Sequence, residues 1–272
     1  MHINRRDFIR AGALAGLAGT SSTAFAQAAD SSSAKQLFEI RTYWFATEDK
    51  RTQYGAYLGD ELIPRLNQLQ VTPVGVFEAI EGDLAKARVT ADKPHLFLII
   101  PYNSAESFVA VSTQLAMDAN GKSGHAILDA PRDNPAFARC ETRLLSCFDA
   151  LPKVGTGAKS PSRVMQMRQY RAHNEAKAAR KVEMFNKGSI IEIFRRLDFN
   201  PIAGGQELAG PSFPNSTYIV SFNDRAEMDK TWGIFWKDKA WHTLWKENDR
   251  YHDTDPVEVT NLILKPTAAS QI

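Results

Sequence analysis

Residues 37–43, LFEIRTY, return in altered form as residues 164–170, VMQMRQY, and this recurrence constrains the fold more than any other feature of the 272-residue chain. In both copies an arginine and a tyrosine stand two apart, Arg41 with Tyr43 and Arg168 with Tyr170. Two residues earlier comes an acid or an amide, Glu39 or Gln166. Strand side chains alternate between faces, so each set of three shares one face, while Phe38, Ile40 and Trp44, or Met165 and Met167, take the other. We read the two stretches as the first strands of two related half-domains whose polar faces look toward a shared cleft.

Each stretch opens the same series of elements. Thr47 followed by Glu48 and Asp49 marks a helix start, and Tyr54, Tyr57, Leu58, Leu62, Leu66 and Leu69 recur on one helical face. Pro64 falls inside this helix and predicts a kink, because proline lacks the backbone donor and crowds the preceding turn. Strands are expected over 74–80, 95–102 and 141–148, with a helix from Ser104 that turns Phe108, Val111, Leu115 and Met117 inward. The second half follows suit: a strand over 163–170, a helix over 174–197, a strand opening at Asn200-Pro201, a strand over 218–222, a helix from Asp224 and a closing strand over 259–264. The order β-α-β-β-α-β, met twice, is the ferredoxin-like arrangement. The expected fold class is therefore α+β, with tandem ferredoxin-like halves packed sheet to sheet as a barrel within the chain. Residues 37–150 form the first half, 151–162 a Pro/Gly linker and 163–272 the second half.

The N-terminus reads as an address. Residues 1–26 combine Arg5-Arg6 before Asp7-Phe8-Ile9, a glycine-diluted apolar run and Ala24-Phe25-Ala26 as a cleavage site, the pattern of a twin-arginine signal peptide. A periplasmic protein is expected, with 27–36 as a disordered tether. That signal holds three of the 33 basic and one of the 31 acidic residues, which leaves 30 of each. A neutral remainder has no bulk electrostatic drive toward nucleic acid, and no other run approaches the roughly 18–20 apolar residues of a membrane span. If Cys140 leads directly into the strand expected over 141–148, it and Cys147 lie on opposite faces and roughly 23 Å apart, so two free, buried thiols are expected.

Further stretches carry a resemblance: ELIPRL at 61–66, KVEMFN at 181–186, FRRLDFNPI at 194–202, WGIFWKDKAWHTL at 232–244 and NLILKPTAASQI at 261–272. Together with LFEIRTY they resemble the NIPSNAP family over essentially all of the chain after the signal. The resemblance implies a dimeric α+β barrel and a homo-oligomer, in a family without agreed catalytic residues. Two departures, Ala203-Gly204-Gly205 and Ala268-Ala269, stand where larger apolar or aromatic residues are common in the family, and both bear on packing. Related barrels bind haem or oxygenate without a cofactor, so the resemblance also implies an alternative, a monooxygenase-like enzyme.

The candidate ligand-binding residues are Glu39, Arg41, Tyr43, Gln166, Arg168 and Tyr170, with His95 at the mouth of a strand. Fixed arginines in a cleft would hold a carboxylate or phosphate bidentately while the tyrosines orient it. The competing reading is an internal network in which Glu39 pairs with Arg41 or Arg168. His95, His125, His173, His242 and His252 lack metal-ligand spacing, so neither metal nor cofactor is expected. Trp232 with Trp236 and Trp241 with Trp245 are four apart and should stack as packing. The basic pairs Arg180-Lys181 and Arg195-Arg196 read as a solvated helix face. No phosphate-cradling glycine loop or nucleophile elbow is present. The function expected is non-enzymatic: a periplasmic protein that binds a small acidic or aromatic ligand, or a scaffold.

Overall fold

Two four-stranded sets, each with two unpaired edges, solve the edge problem by pairing with each other. In the computed structural model, which describes residues 35–89, 93–121, 124–246, 251 and 256–272, the first set is β1 (Leu37–Trp44), β2 (Gly75–Gly82), β3 (His95–Tyr102) and β4 (Arg139–Cys147). The second is β5 (Val164–Arg171), β6 (Asn200–Ala209), β7 (Asn215–Phe222) and β8 (Glu258–Pro266). Their orders are β4-β1-β3-β2 and β8-β5-β7-β6, and the antiparallel seams β2–β8 and β4–β6 close an eight-stranded barrel. The halves thus join edge to edge, not sheet to sheet as expected, because edge pairing satisfies backbone groups that face packing leaves open. Closure removes every edge, so association with a second copy would have to use helices and loops. The expected signal peptide, nearly all of the tether and His252 lie outside the described residues. Among the described residues no helix is long and apolar enough to cross a membrane.

An eight-stranded barrel is just wide enough for side chains to fill it. Phe38, Ile40, Phe97, Met165, Met167 and Ile219 do so here, all nearly inaccessible to solvent. The apolar side of β1 and of β5 therefore faces the lumen, and the Arg/Tyr side of each faces outward under helices. Over the first half lie α1 (Glu48–Tyr57), a π turn (Leu58–Leu62), α2 (Ile63–Gln68) and α3 (Ala105–Asn120). Over the second lie α4 (Glu175–Asn186), α5 (Ile190–Arg196), α6 (Arg225–Phe235) and α7 (Lys239–Lys246). Thr47, Ser104, Asn174 and Asp224 each cap their helix by accepting from the backbone N–H three residues on.

Three local expectations change. Pro64 offers no N–H to the carbonyl of Asp60 and crowds it, and the helix adapts by widening: the Ile63 N–H reaches back five residues to the Leu58 carbonyl. The long helix expected over 174–197 is two helices, because residues 187–189 break it. A Cβ at Gly188 would lie 2.4 Å from the Met184 carbonyl oxygen, and Ser189 takes a left-handed φ of 62°. Met117, expected inward, is 65% exposed. The glycines at 204 and 205 do serve packing: a Cβ at Gly204 would meet the Phe148 ring at 2.7 Å, and one at Gly205 the Ser146 carbonyl of β4 at 2.4 Å.

That close approach brings a polar cluster into the lumen at the β4–β6 seam. Arg143 of β4 donates through Nε to Glu207 of β6 at 2.9 Å and through Nη2 to Thr217 of β7 at 2.7 Å. Glu207 is 0% exposed and accepts at its other oxygen from the Ser212 N–H. The Thr217 hydroxyl passes its proton on to Asn215 at 3.1 Å.

Candidate functional site

The two polar triplets do not meet. β1 and β5 stand diametrically opposite in the barrel, with three strands between them either way round. Each triplet looks outward into its own space between sheet and helices, so there is no shared cleft. The reason is parity: alternation shows that a strand has two unlike faces, but both are buried here, and closure chose the apolar one for the lumen.

In the first half the triplet is an internal ion pair. Arg41 forks onto Glu39, Nε to Oε1 at 2.7 Å and Nη2 to Oε2 at 2.9 Å. Glu39 is 2% exposed and also accepts from the Tyr102 hydroxyl at 3.0 Å and from Thr142, the residue opposite Arg41 on β4. Burial alone would raise the Glu39 carboxyl, but the Arg41 charge and the hydrogen bonds from Arg41, Thr142 and Tyr102 outweigh it and hold its pKa below the ordinary value. Arg41 also donates to the Tyr43 hydroxyl at 3.3 Å. Beyond it opens a pocket of about 700 Å³ walled by Tyr43, Tyr54 and Tyr57, with Asp60 and Glu61 of the π turn at its side. Burial, followed by the nearby Tyr43 and Glu61, pushes the Tyr57 hydroxyl up to about 12. His125 lies edge-on to Tyr57 and its Nδ1 accepts from the Ile127 and Leu128 N–H groups, which leaves Nε2 to donate to Glu61 at 2.8 Å.

In the second half the same positions behave differently. Gln166 Oε1 accepts from Trp232 Nε1 at 2.5 Å, and its Nε2 donates to Asn261 at 2.8 Å, so both ends of the amide are engaged away from Arg168. Arg168 sits over the rings of Trp232 and Tyr170, at 5.0 and 5.6 Å, with Tyr218 opposite it on β7. Among the described residues no carboxylate lies within ion-pair distance of Arg168, and its buried Nε–H has no protein partner. Tyr170 and Tyr218 stack at 5.8 Å with their hydroxyls 3.3 Å apart, and burial drives the Tyr218 pKa upward. Arg168 opens onto a pocket of about 400 Å³ lined by Tyr170, Lys181, Trp236, Trp241 and Trp245.

His95 joins neither pocket. It is on the lumen side of β3, where Nε2 accepts from the Ala79 N–H and Nδ1 donates to the Lys93 carbonyl, both at 3.0 Å. Burial pushes its pKa down, so it is a neutral strut that binds β2 to the chain entering β3. Cys140 and Cys147 are both free; Cys147 is buried in the lumen, whereas Cys140, across from Tyr43 on the outer face of β4, is exposed and not buried as expected, because the first residues of β4 are open to solvent. Among the described residues no group of His, Cys, Asp or Glu side chains could hold a metal ion.

Sequence reasoning missed Lys181 as part of the second pocket. It was grouped with Arg180 as a solvated charge, yet it is 7% exposed and its ammonium lies over the rings of Tyr170 and Trp245 at 5.1 and 5.4 Å. Its spacing held the signal, three residues after Ala178 and four before Phe185, on the buried stripe of α4. The tryptophans do stack in pairs, Trp232 on Trp236 at 5.3 Å and Trp241 on Trp245 at 5.7 Å. Trp232 is core, while the other three wall the pocket.

Comparison with known proteins gives the fold a context. No curated protein sequence matches the chain. Among solved structures it is similar to a candidate monooxygenase from Fusobacterium nucleatum, with a TM-score of 0.54 and 10% identity over 86% of this chain and 93% of the other. A candidate monooxygenase from Lactobacillus acidophilus aligns with a TM-score of 0.51 and 13% identity over 88% of this chain and 98% of the other. A NIPSNAP-like domain protein from Burkholderia xenovorans matches 41% of this chain and 90% of its own length, at 16% identity and a TM-score of 0.35. The first two likenesses establish the α+β barrel fold. The model of the NIPSNAP family matches residues 165–271, the part of the chain that carries Gln166, Arg168 and Tyr170.

Proposed function

We propose that this chain is an exported, non-catalytic binding protein whose second-half pocket takes a small aromatic acid. The observation that carries the reading is Arg168, a largely buried guanidinium with no carboxylate in ion-pair range among the described residues, where Asp83 acts on it only from farther off, in a pocket walled by tryptophan and tyrosine. A desolvated cation without a counter-ion is costly, and a ligand carboxylate would supply the missing charge while its ring stacks on the indoles. The volume falls in the range of small-molecule sites.

The test is thermal unfolding with 2-naphthoate and with the uncharged 2-naphthalenemethanol. Naphthoate at about a hundred times its dissociation constant should add roughly 2.7 kcal/mol of stability, and Arg168→Met should remove that gain. Equal stabilisation of Arg168→Met and the native chain, or by the alcohol and the acid, would sink the reading.

Export rests on residues 1–26 alone. With Arg5 and Arg6 both changed to lysine, the precursor should accumulate in the cytoplasmic fraction, and undiminished appearance in the periplasm would refute the twin-arginine route.

A further inference from the structure

Each outward pocket lies beside the strand arginine of its half, and among the differences in their linings one stands next to the arginine itself. Glu39 and Gln166 each stand two residues before the strand arginine, on the same face, with Thr142 or Asn261 at matching register on the neighbouring strand. We infer that this residue decides which half of the barrel accepts an anion: Gln166 leaves Arg168 available to a ligand, whereas Glu39 already fills that role for Arg41.

The geometry supports this on both sides. Glu39 takes the Nε–Nη2 edge of the Arg41 guanidinium and Tyr43 accepts from Nη1, so three of its five N–H donors and its charge are already engaged beside the 700 Å³ pocket. An acid entering there would meet two arginines already paired with carboxylates, Arg41 with Glu39 and Arg65 with Asp118, and the carboxylates of Asp60 and Glu61. Gln166 is the same length as a glutamate, but it carries no charge and its amide is turned to Trp232 and Asn261. The Nε–H of Arg168, the donor that Glu39 satisfies on Arg41, is therefore left without a partner. One amide-for-acid difference at matching register thus separates an arginine held in an ion pair from one with no carboxylate in ion-pair range among the described residues.

The inference rests on the proposed anion site for its first arm and stands free of it in its second. By calorimetry with 2-naphthoate on the full chain, Gln166→Glu should weaken binding roughly 10- to 100-fold, the worth of one to two charge-assisted contacts. Gln166→Met, which removes the amide without adding charge, should stay within about threefold of the native chain. If Gln166→Glu binds as tightly as the native chain, or Gln166→Met loses as much as Gln166→Glu, the selector role is wrong. The second arm is a gain of function: Glu39→Gln in an Arg168→Met background should acquire one naphthoate site in the first pocket. Because no tryptophan lines that pocket, the new site should leave indole fluorescence unquenched. A native chain that fails to bind naphthoate overturns the proposed function. In that case a site gained in the Glu39→Gln background still supports the charge rule, and none gained sinks it too.

Discussion

Changing Arg143 to methionine is expected to cost about 3–5 kcal/mol of unfolding free energy, a fall in Tm on the order of 10 °C for a chain of this size. The variant would strand a fully buried Glu207 whose remaining partner is the Ser212 N–H. The Thr217 hydroxyl would lose its donor as well. The pair crosses the β4–β6 seam, so the damage falls where the two halves are joined. Buried pairs are often replaceable by apolar residues of similar volume at little cost. The double variant Arg143→Met/Glu207→Leu should therefore recover most of the loss. Urea unfolding of the native chain, both single variants and the double variant yields the coupling energy directly. Additive losses across that cycle would show that the two side chains act independently and that the seam does not depend on their pairing.

The first-half ion pair should be similarly costly to break. Glu39→Ala removes the counter-ion of Arg41 and the acceptor of Tyr102 and Thr142, for a loss of about 3–5 kcal/mol at neutral pH. Gln166→Ala, at the equivalent position, breaks two neutral hydrogen bonds and should cost about 1–3 kcal/mol. The pH dependence separates a charge effect from simple packing. Because the folded Glu39 carboxyl is held below the ordinary glutamate value, the unfolded chain binds its proton first as the pH falls. The contribution of Glu39 is thus fully present above about pH 4.3 and is lost as the pH drops from there through the lower folded value. Denaturant unfolding between pH 7 and pH 3 should show an acid-labile component in the native chain that is missing from Glu39→Ala. The same acid slope in both would deny Glu39 this role.

Both results bear on how the pockets divide their work. Where the arginine is neutralised from within, its energy goes into the fold, and replacing it should damage stability. Where it is not, as at Arg168, replacing it should spare the fold and alter ligand binding. The contrast gives a single mutational series two distinguishable outcomes.

Much of the architecture was legible in the residues because it depends on local chemistry. Thr47, Ser104, Asn174 and Asp224 announce their helices, since a cap acts through a backbone N–H only three residues away. The strand spacing of HLFLIIPY returns as β3, and the doubled β-α-β-β-α-β order is visible as periodicity and punctuation. The side-by-side placement of Glu39, Arg41 and Tyr43, and of their counterparts, follows from a period of two. What escaped reading were choices between locally equivalent options. Pro64 requires some departure from a regular helix, but whether it becomes a kink or a π turn depends on what packs around it. Lys181 looks solvated beside Arg180 until α4 is rotated against the sheet.

The sequence by itself determined the elements, their order, the unlike faces of the duplicated strands and the asymmetry between Glu39 and Gln166, because each is a property of neighbours along the chain. Only the tertiary structure decided that the barrel closes edge to edge, that its lumen takes the apolar faces, and that the two arginines end on opposite sides with separate pockets. Those outcomes depend on which distant strand edges pair, as in the Arg143–Glu207 seam, and pairing across 64 residues leaves no trace in local periodicity.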